Sequence, residues 1–513
     1  MSSESPSTAG PDLSQGVPAT DLAEGDLLLG HVGDEPVLLT RDRGEVLAVA
    51  ARCTHYGGPL HEGLVVDGTI RCPWHHAAFD LRTGQVRRPP ALDGITCWQV
   101  VEREGRITVS APREVSVRPP AVRASRPDSV LILGGGAAGH QAAETLRRDG
   151  YDGTVTIIEA GPDAPYDRPN LSKDYLAGTA EEAWIPLRGD DFYPEHGIEL
   201  VLGRRAVELD PAARRVRLDD GSERAFGALL IATGSQPVPL PGPAPAQRVY
   251  LLRSLADSRS IIEAAGRARR AVVIGASFIG LEVAASLRAR GLDVTVVAPD
   301  AQPLEKALGP ELGAIIRALH EEKGVAFRLG HHVKSVGVTE VILDAGESLP
   351  ADLVVAGIGV RPVTELAERA GLAVDRGIVV DRFLETTAPG IYAAGDVARW
   401  PDPRSGELIR VEHWVFAQRQ GRAAAQNILA EPSQRRPFDV VPFFWSRHYD
   451  LSVDYTGYAP RWDRTVVRGD LAAHDATVAY EVGGRVLAAA TVGRDRANLA
   501  LEAALERGTL HDI

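Results

Sequence analysis

The chain carries the same strand–glycine–helix unit twice. Val130-Leu131-Ile132-Leu133-Gly134-Gly135-Gly136-Ala137-Ala138-Gly139 leads into an Ala-rich stretch and then Val155-Thr156-Ile157-Ile158-Glu159. Ala271-Val272-Val273-Ile274-Gly275-Ala276-Ser277-Phe278-Ile279-Gly280 leads into a second such stretch and Val294-Thr295-Val296-Val297-Ala298. A short apolar run followed by a helical pattern reads as a buried parallel strand and its crossover. A G-x-G-x-x-G turn between the two lets the backbone approach a diphosphate, which then sits at the helix N-terminus. The repeat therefore predicts two α/β Rossmann-like domains in one polypeptide.

The two copies are not equal. Gly134, Gly136 and Gly139 complete the first fingerprint, and Glu159 closes the next strand, placed to bind an adenosine ribose. In the second, Gly275 and Gly280 are kept but Ser277 replaces the middle glycine, crowding the diphosphate or offering it a hydroxyl. Ala298 aligns with Glu159, so the ribose-binding acid is missing, and Asp300 is the nearest stand-in. The segment Pro299–Pro303 holds no arginine for a 2′-phosphate, which favours NADH over NADPH.

Ahead of this repeat lies Cys53-Thr54-His55, then sixteen residues, then Cys72-Pro73-Trp74-His75. Two mixed Cys/His pairs supply two thiolates for one iron and two imidazoles for the other, the ligand set of a Rieske [2Fe–2S] centre: Cys53, His55, Cys72 and His75. A tetrahedral zinc site also takes Cys₂His₂, but with C-x₂₋₄-C and H-x₃₋₅-H spacing. Residues 16–111 alternate short β-type runs with Gly/Asp turns, as a small all-β module would. In this strongly apolar-patterned module Cys97 reads as a small buried hydrophobe.

At 513 residues the chain is too long for one core. A net charge of -13 excludes a nucleic-acid partner, which needs a basic surface. No apolar run approaches the ~20 residues of a membrane-spanning helix, so no membrane partner is expected. The Ser/Pro/Gly-rich residues 1–15 read as a flexible tail and the Pro/Arg-rich residues 112–127 as a linker. Only Cys53, Cys72 and Cys97 are present, which leaves no disulfide framework and suits a cytoplasmic protein.

The second ligand loop resembles that of Rieske ferredoxins, C-P-W-H-G, with His76 in the place of the glycine. From about residue 128 onward the chain resembles the two-dinucleotide flavoprotein reductases of the ferredoxin-reductase and apoptosis-inducing-factor-like branch. The resemblance rests on Tyr166-Asp167-Arg168-Pro169-Asn170-Leu171-Ser172-Lys173, Ala232-Thr233-Gly234, Ile391-Tyr392-Ala393-Ala394-Gly395-Asp396, Glu412-His413-Trp414 and Phe444-Trp445-Ser446. It implies FAD at the first fingerprint, with Arg168, Lys173, Thr233, Gly234, Asp396, His413, Trp414 and Trp445 around it, and NADH or NADPH at the second, with Gly359 nearby. It further implies that Lys173 stands at the flavin and pairs with Glu282 as the catalytic couple; Lys173 is one of only four lysines.

The expected organisation is thus multidomain. An N-terminal all-β Rieske [2Fe–2S] module (16–111) precedes two α/β Rossmann-like domains: FAD-binding (128–247 and 371–436) and NAD(P)-binding (248–370). An α+β C-terminal interface domain (437–513) follows. The expected activity is an NAD(P)H-dependent flavoprotein oxidoreductase passing electrons through FAD and the cluster to an unidentified acceptor, an oxygenase or other redox protein, as monomer or homodimer. The rival is a redox-controlled interaction flavoprotein of apoptosis-inducing-factor type with little turnover. No cysteine follows residue 97, so a dithiol or sulfenate mechanism at the flavin is ruled out. A terminal Rieske oxygenase would need a 2-His-1-carboxylate iron site; His61, His76, His331, His332, His413 and His448 are read as structural or surface residues instead.

Overall fold

The computed structural model describes residues 9–115, 126–241 and 249–510. Residues 1–8 of the expected tail, 116–125 of the expected linker and the last three residues lie outside them. Two compact units result. The first comprises Met1–Pro120 with Asp454–Gly457 and Arg494–Ile513, and the second Ala121–Val453 with Tyr458–Gly493. This division cuts across the segment 437–513, which the sequence treats as one domain.

In the first unit a six-stranded antiparallel sheet runs in the order Val17–Pro18, Arg106–Arg113, Cys97–Arg103, Glu45–Ala50, Glu35–Asp42, Leu27–Val32. The two-residue period of a strand sends alternate side chains to opposite faces, and here both faces are covered. Val37 and Leu39 enter one core with Leu13 and Trp98. Leu38, Leu47 and Val49 enter another with Ile70 and Phe79. Leu13 is fully buried, which corrects the reading of residues 1–15 as a tail throughout: an apolar side chain two residues beyond Pro11 is enough to dock the segment. A second antiparallel sheet, Leu64–Val66, Thr69–Arg71, Ala78–Asp80 and Val86–Arg88, carries the loop from Cys72 to Ala77.

The second unit shows the internal repeat as topology. One parallel sheet has the order Ile198–Leu202, Thr154–Glu159, Ser129–Leu133, Ala228–Ile231, Ile391–Ala393. The other has Val325–Leu329, Asp293–Ala298, Arg270–Ile274, Leu353–Ala356, Val249–Tyr250. A three-stranded antiparallel insertion lies between the third and fourth strands of the first sheet in chain order, and between the fourth and fifth of the second. The first sheet receives its last strand only after the second is complete, so the domain built on the first fingerprint is discontinuous. Near-continuous apolar strands (Val130–Leu133 and Ala271–Ile274 are buried) are what a parallel sheet covered on both faces requires. Strands Arg464–Asp470, Asp475–Val482 and Arg485–Val492 form an antiparallel ladder, with Gly483 and Gly484 at its last turn. Among the described residues no helix is long and apolar enough to cross a membrane.

Candidate functional site

Three sites are built, one in the first unit and two in the second. In the first, Cys53 and Cys72 are buried and their thiols are hydrogen-bonded to each other. The shared proton lowers the Cys53 pKa, and the same contact together with burial raises that of Cys72. His55 Nδ1 faces His75 Nδ1 at 3.1 Å, and burial lowers the His55 pKa to about 4. The loops are tied by backbone bonds Cys53 N to Gly58 O (2.9 Å) and Cys72 N to Ala77 O (2.8 Å). A Cβ at Gly58 would lie 2.7 Å from Cys72 Sγ, so only glycine packs there. Among the described residues no three His, Cys, Asp or Glu side chains close on a single ion. A thiol pair beside an imidazole pair is instead the two-plus-two division of a two-iron cluster, and the donor set fits one.

His76 takes a left-handed backbone (φ 58°), the conformation a glycine would supply there. Its ring is buried, with Nδ1 3.0 Å from Glu502 Oε2. Arg71, just before Cys72, also reaches Glu502 (3.2 Å) and Glu506 (2.8 Å), on the helix Asp495–Arg507. A structural role for His76 was expected, but this partner some 430 residues away was not.

At the first fingerprint, Gly134 is left-handed (φ 103°) and a Cβ would meet Ala232 O at 2.4 Å. Gly136 caps the helix Ala137–Arg148 without any side-chain hydrogen bond to its first turn. Glu159 accepts from Gly135 N (2.7 Å) and Gly161 N (3.0 Å), which fixes its carboxylate at the mouth of a 120 Å³ cavity lined by Gly136, Tyr166 and Arg168. Arg168 has a buried Nε without a partner. Arg253, from outside every motif, has its pKa lowered to about 10, first by burial and then by Arg168. Two guanidiniums held together against their mutual repulsion, beside an uncapped helix N-terminus, fit a diphosphate. Asp396 Oδ2 accepts from Arg253 at 3.3 Å, and Gly395 N donates to Gln420 at 2.8 Å. Gly234 lies over Arg253, whereas the Thr233 hydroxyl is committed to Val363 O at 2.9 Å.

The residues expected beside the flavin come from four segments. Lys173 Nζ lies 2.9 Å from Glu282 Oε2, and Ser172 Oγ donates to the same oxygen at 2.6 Å. Ser446 Oγ donates to Glu282 Oε1 at 2.8 Å. His413 stacks on Phe444 with ring centroids 4.0 Å apart, and burial lowers its pKa to about 4. Trp414 opens the helix Trp414–Leu429, and Trp445 is half-buried on the strand Phe443–His448.

The second fingerprint repeats the frame without the lock. Gly275 is left-handed (φ 108°), with Gly357 O 2.3 Å from a built Cβ. Ser277 is exposed, caps Phe278–Ala289 without a side-chain bond to it, and donates to Gly357 O at 3.3 Å. Gly280 packs on Gly275 O, and Gly359 is left-handed with open space beside it. Asp300 is paired with Lys306 at 2.6 Å, a cation six residues along the chain that competes with the ribose for its carboxylate.

Residues 16–99 match the Rieske [2Fe-2S] domain, 128–421 the pyridine nucleotide-disulphide oxidoreductase family and 443–512 the reductase C-terminal family. Apoptosis-inducing factor 3 of Mus musculus is 32% identical, covering 93% of this chain and 81% of its own length. The ferredoxin–NAD(+) reductase component of the anthranilate 1,2-dioxygenase system of Burkholderia cepacia is 39% identical over 72% of this chain and 92% of its own. The crystal structure of the covalent putidaredoxin reductase–putidaredoxin complex superposes with a TM-score of 0.71 at 36% identity, covering 75% of this chain and 94% of that one. The fold and sites therefore define an NAD(P)H-dependent flavoprotein oxidoreductase with FAD and a [2Fe–2S] cluster as cofactors. The chain belongs to the pyridine nucleotide-disulphide oxidoreductase family, in its ferredoxin-reductase-like form, with a Rieske domain at the N-terminal side. Unlike the family's disulphide members, it has no cysteine after Cys97.

Proposed function

We propose that the protein oxidises NADH and delivers the electrons one at a time, through its own Rieske cluster, to a separate redox protein. The observation that carries this reading is the presence in one chain of a two-electron site and a one-electron site, the second normally supplied in trans. Tethering raises the effective concentration of the one-electron carrier. FAD, when bound, would supply the conversion of a two-electron donor into single electrons. A Rieske cluster, at roughly −150 to +300 mV against about −400 mV for plant-type ferredoxins, would supply a one-electron acceptor of comparatively high potential.

The protein's part is positioning. Arg168, Arg253 and the uncapped helix at Gly136 would hold the diphosphate of FAD, Glu159 its adenosine ribose and Asp396 its ribityl chain. Lys173, kept in place by Glu282, would present a positive charge at the flavin edge and so favour a reduced, negatively charged flavin. Gly275 and Ser277 admit the nicotinamide dinucleotide. The preference for NADH rests on the absence of an arginine in Pro299–Pro303 and on relatives named as NAD(+) reductases. Cys53, His55, Cys72 and His75 would ligate the cluster.

Cys72→Ser tests the route. FAD content and bleaching by NADH should persist, because cluster and flavin ligands lie in separate compact units. Steady-state reduction of cytochrome c by NADH should fall at least tenfold. Undiminished reduction would place the electron exit at the flavin, and negligible reduction by the unaltered protein would favour the interaction-protein reading.

A further inference from the structure

Beyond Ser446 the hydrogen bonds from Glu282 continue within the second unit. Ser446 Oγ lies 3.2 Å from His448 Nε2, and His448 Nδ1 lies 3.2 Å from His320 Nε2. All four side chains are buried: Glu282 is 3% exposed, Ser446 1%, and both histidines 0%. They come from the helix Phe278–Ala289, the strand Phe443–His448 and the last turn of the helix Glu305–Glu322.

Counting protons fixes the direction of the row. A hydroxyl has one proton to give, and a carboxylate oxygen only accepts. Ser446 gives its proton to Glu282 Oε1, so it can only accept from His448, whose Nε2 must carry hydrogen. Burial lowers the His448 pKa to about 3, with the Lys173 charge adding to it, so a neutral ring with Nε2–H leaves Nδ1 bare. The bare Nδ1 must accept from His320 Nε2–H. His320, also lowered to about 3 by burial and then by His448, ends the row with a buried Nδ1 that has no partner. Tyr449 and Phe327 face this last ring edge-on at 5.1 and 6.2 Å.

We propose that His320, His448 and Ser446 form a donor row of fixed direction that positions the Glu282 carboxylate against Lys173, and through it the charge at the flavin. With Ser172 and Lys173 on Oε2 and the row ending on Oε1, both oxygens are engaged and the carboxylate has one orientation. His448 and His320 are positioning residues, touching neither cofactor nor substrate. The inference rests on the reading that Lys173 stands at the flavin.

The first test needs no flavin. In protein carrying ¹⁵N-histidine, with signals assigned by His448→Gln and His320→Phe, both rings should show the Nε2–H tautomer between pH 5 and 8. An Nδ1–H tautomer at His448 would overturn the row. The second is the FAD midpoint potential. His448→Leu removes the donor to Ser446, so the reduced-to-oxidised ratio at fixed potential should fall about tenfold, about 30 mV for a two-electron couple. His448→Gln, which has both an N–H and a C=O to replace the ring, should restore it to within about threefold. An unchanged potential in His448→Leu refutes the proposal if Lys173→Met does lower it. If Lys173→Met also leaves it unchanged, the placement of Lys173 is what fails.

Discussion

The two dinucleotide fingerprints share a backbone and differ in what surrounds it. Gly134 and Gly275 adopt the same left-handed turn, with φ of 103° and 108°, and each lies against the carbonyl of the strand-end residue opposite. Around Gly134, Glu159 is bonded to two backbone amides and two arginines crowd the helix N-terminus. Around Gly275 the serine is exposed, Ala298 has no carboxylate, and Asp300 is turned to Lys306. On the proposed assignment, one copy of the repeat would keep its nucleotide and the other would exchange it. That is the division a flavoenzyme needs: a resident FAD and a dinucleotide that must leave after each hydride.

The sharpest break of this comparison is the same substitution made twice. A Cβ on either glycine meets a backbone carbonyl at 2.4 or 2.3 Å in a conformation that L-residues resist. Gly134→Ala should lower bound FAD to under about a tenth of normal, measured as flavin absorbance per protein. Gly275→Ala should keep its FAD and slow bleaching by NADH at least a hundredfold in stopped flow. Loss of FAD from Gly275→Ala would reverse the assignment of the two copies.

A smaller effect is expected from furnishing the second copy like the first. By the repeat, Ala276 N is the counterpart of Gly135 N, so Ala298→Glu offers an acceptor to that amide and a contact to the adenosine ribose. The NADH-over-NADPH ratio of kcat/KM should rise about tenfold, or about 1.4 kcal/mol. No change would mean that Asp300 already does this work. The smallest effect should follow Ser277→Gly. With the Ser277 hydroxyl on Gly357 O rather than facing the site, its removal should change KM for NADH less than about threefold. A tenfold rise in KM would show the hydroxyl on the nucleotide.

What the sequence makes legible is local. The fingerprints, both cluster-ligand pairs and the FAD-side segments each occupy a few consecutive residues, and their geometry follows from short-range turns. Even Lys173 with Glu282, 109 residues apart, was within reach because each lies in its own motif. Residues that act through packing were not. Arg253 belongs to no motif, and His448, read as structural or surface, joins Ser446, Glu282 and His320 only because three elements meet in the folded core. Leu13 was lost in a polar, Gly-rich opening whose composition masks one docking side chain. The helix Asp495–Arg507 joins the Rieske unit through Glu502 and Glu506, and paired buried charges leave no hydrophobic pattern to read.

The central claim is that electrons from NADH reach the cluster by way of the flavin. Anaerobic titration with NADH, followed by flavin absorbance and by low-temperature EPR, tests it most directly. The flavin should bleach and a reduced Rieske signal should grow with it, while Gly134→Ala protein, depleted of FAD but retaining its cluster, should show no signal on the same time scale. A cluster that stays oxidised while the flavin is fully reduced, or one that NADH reduces without FAD, would contradict the account.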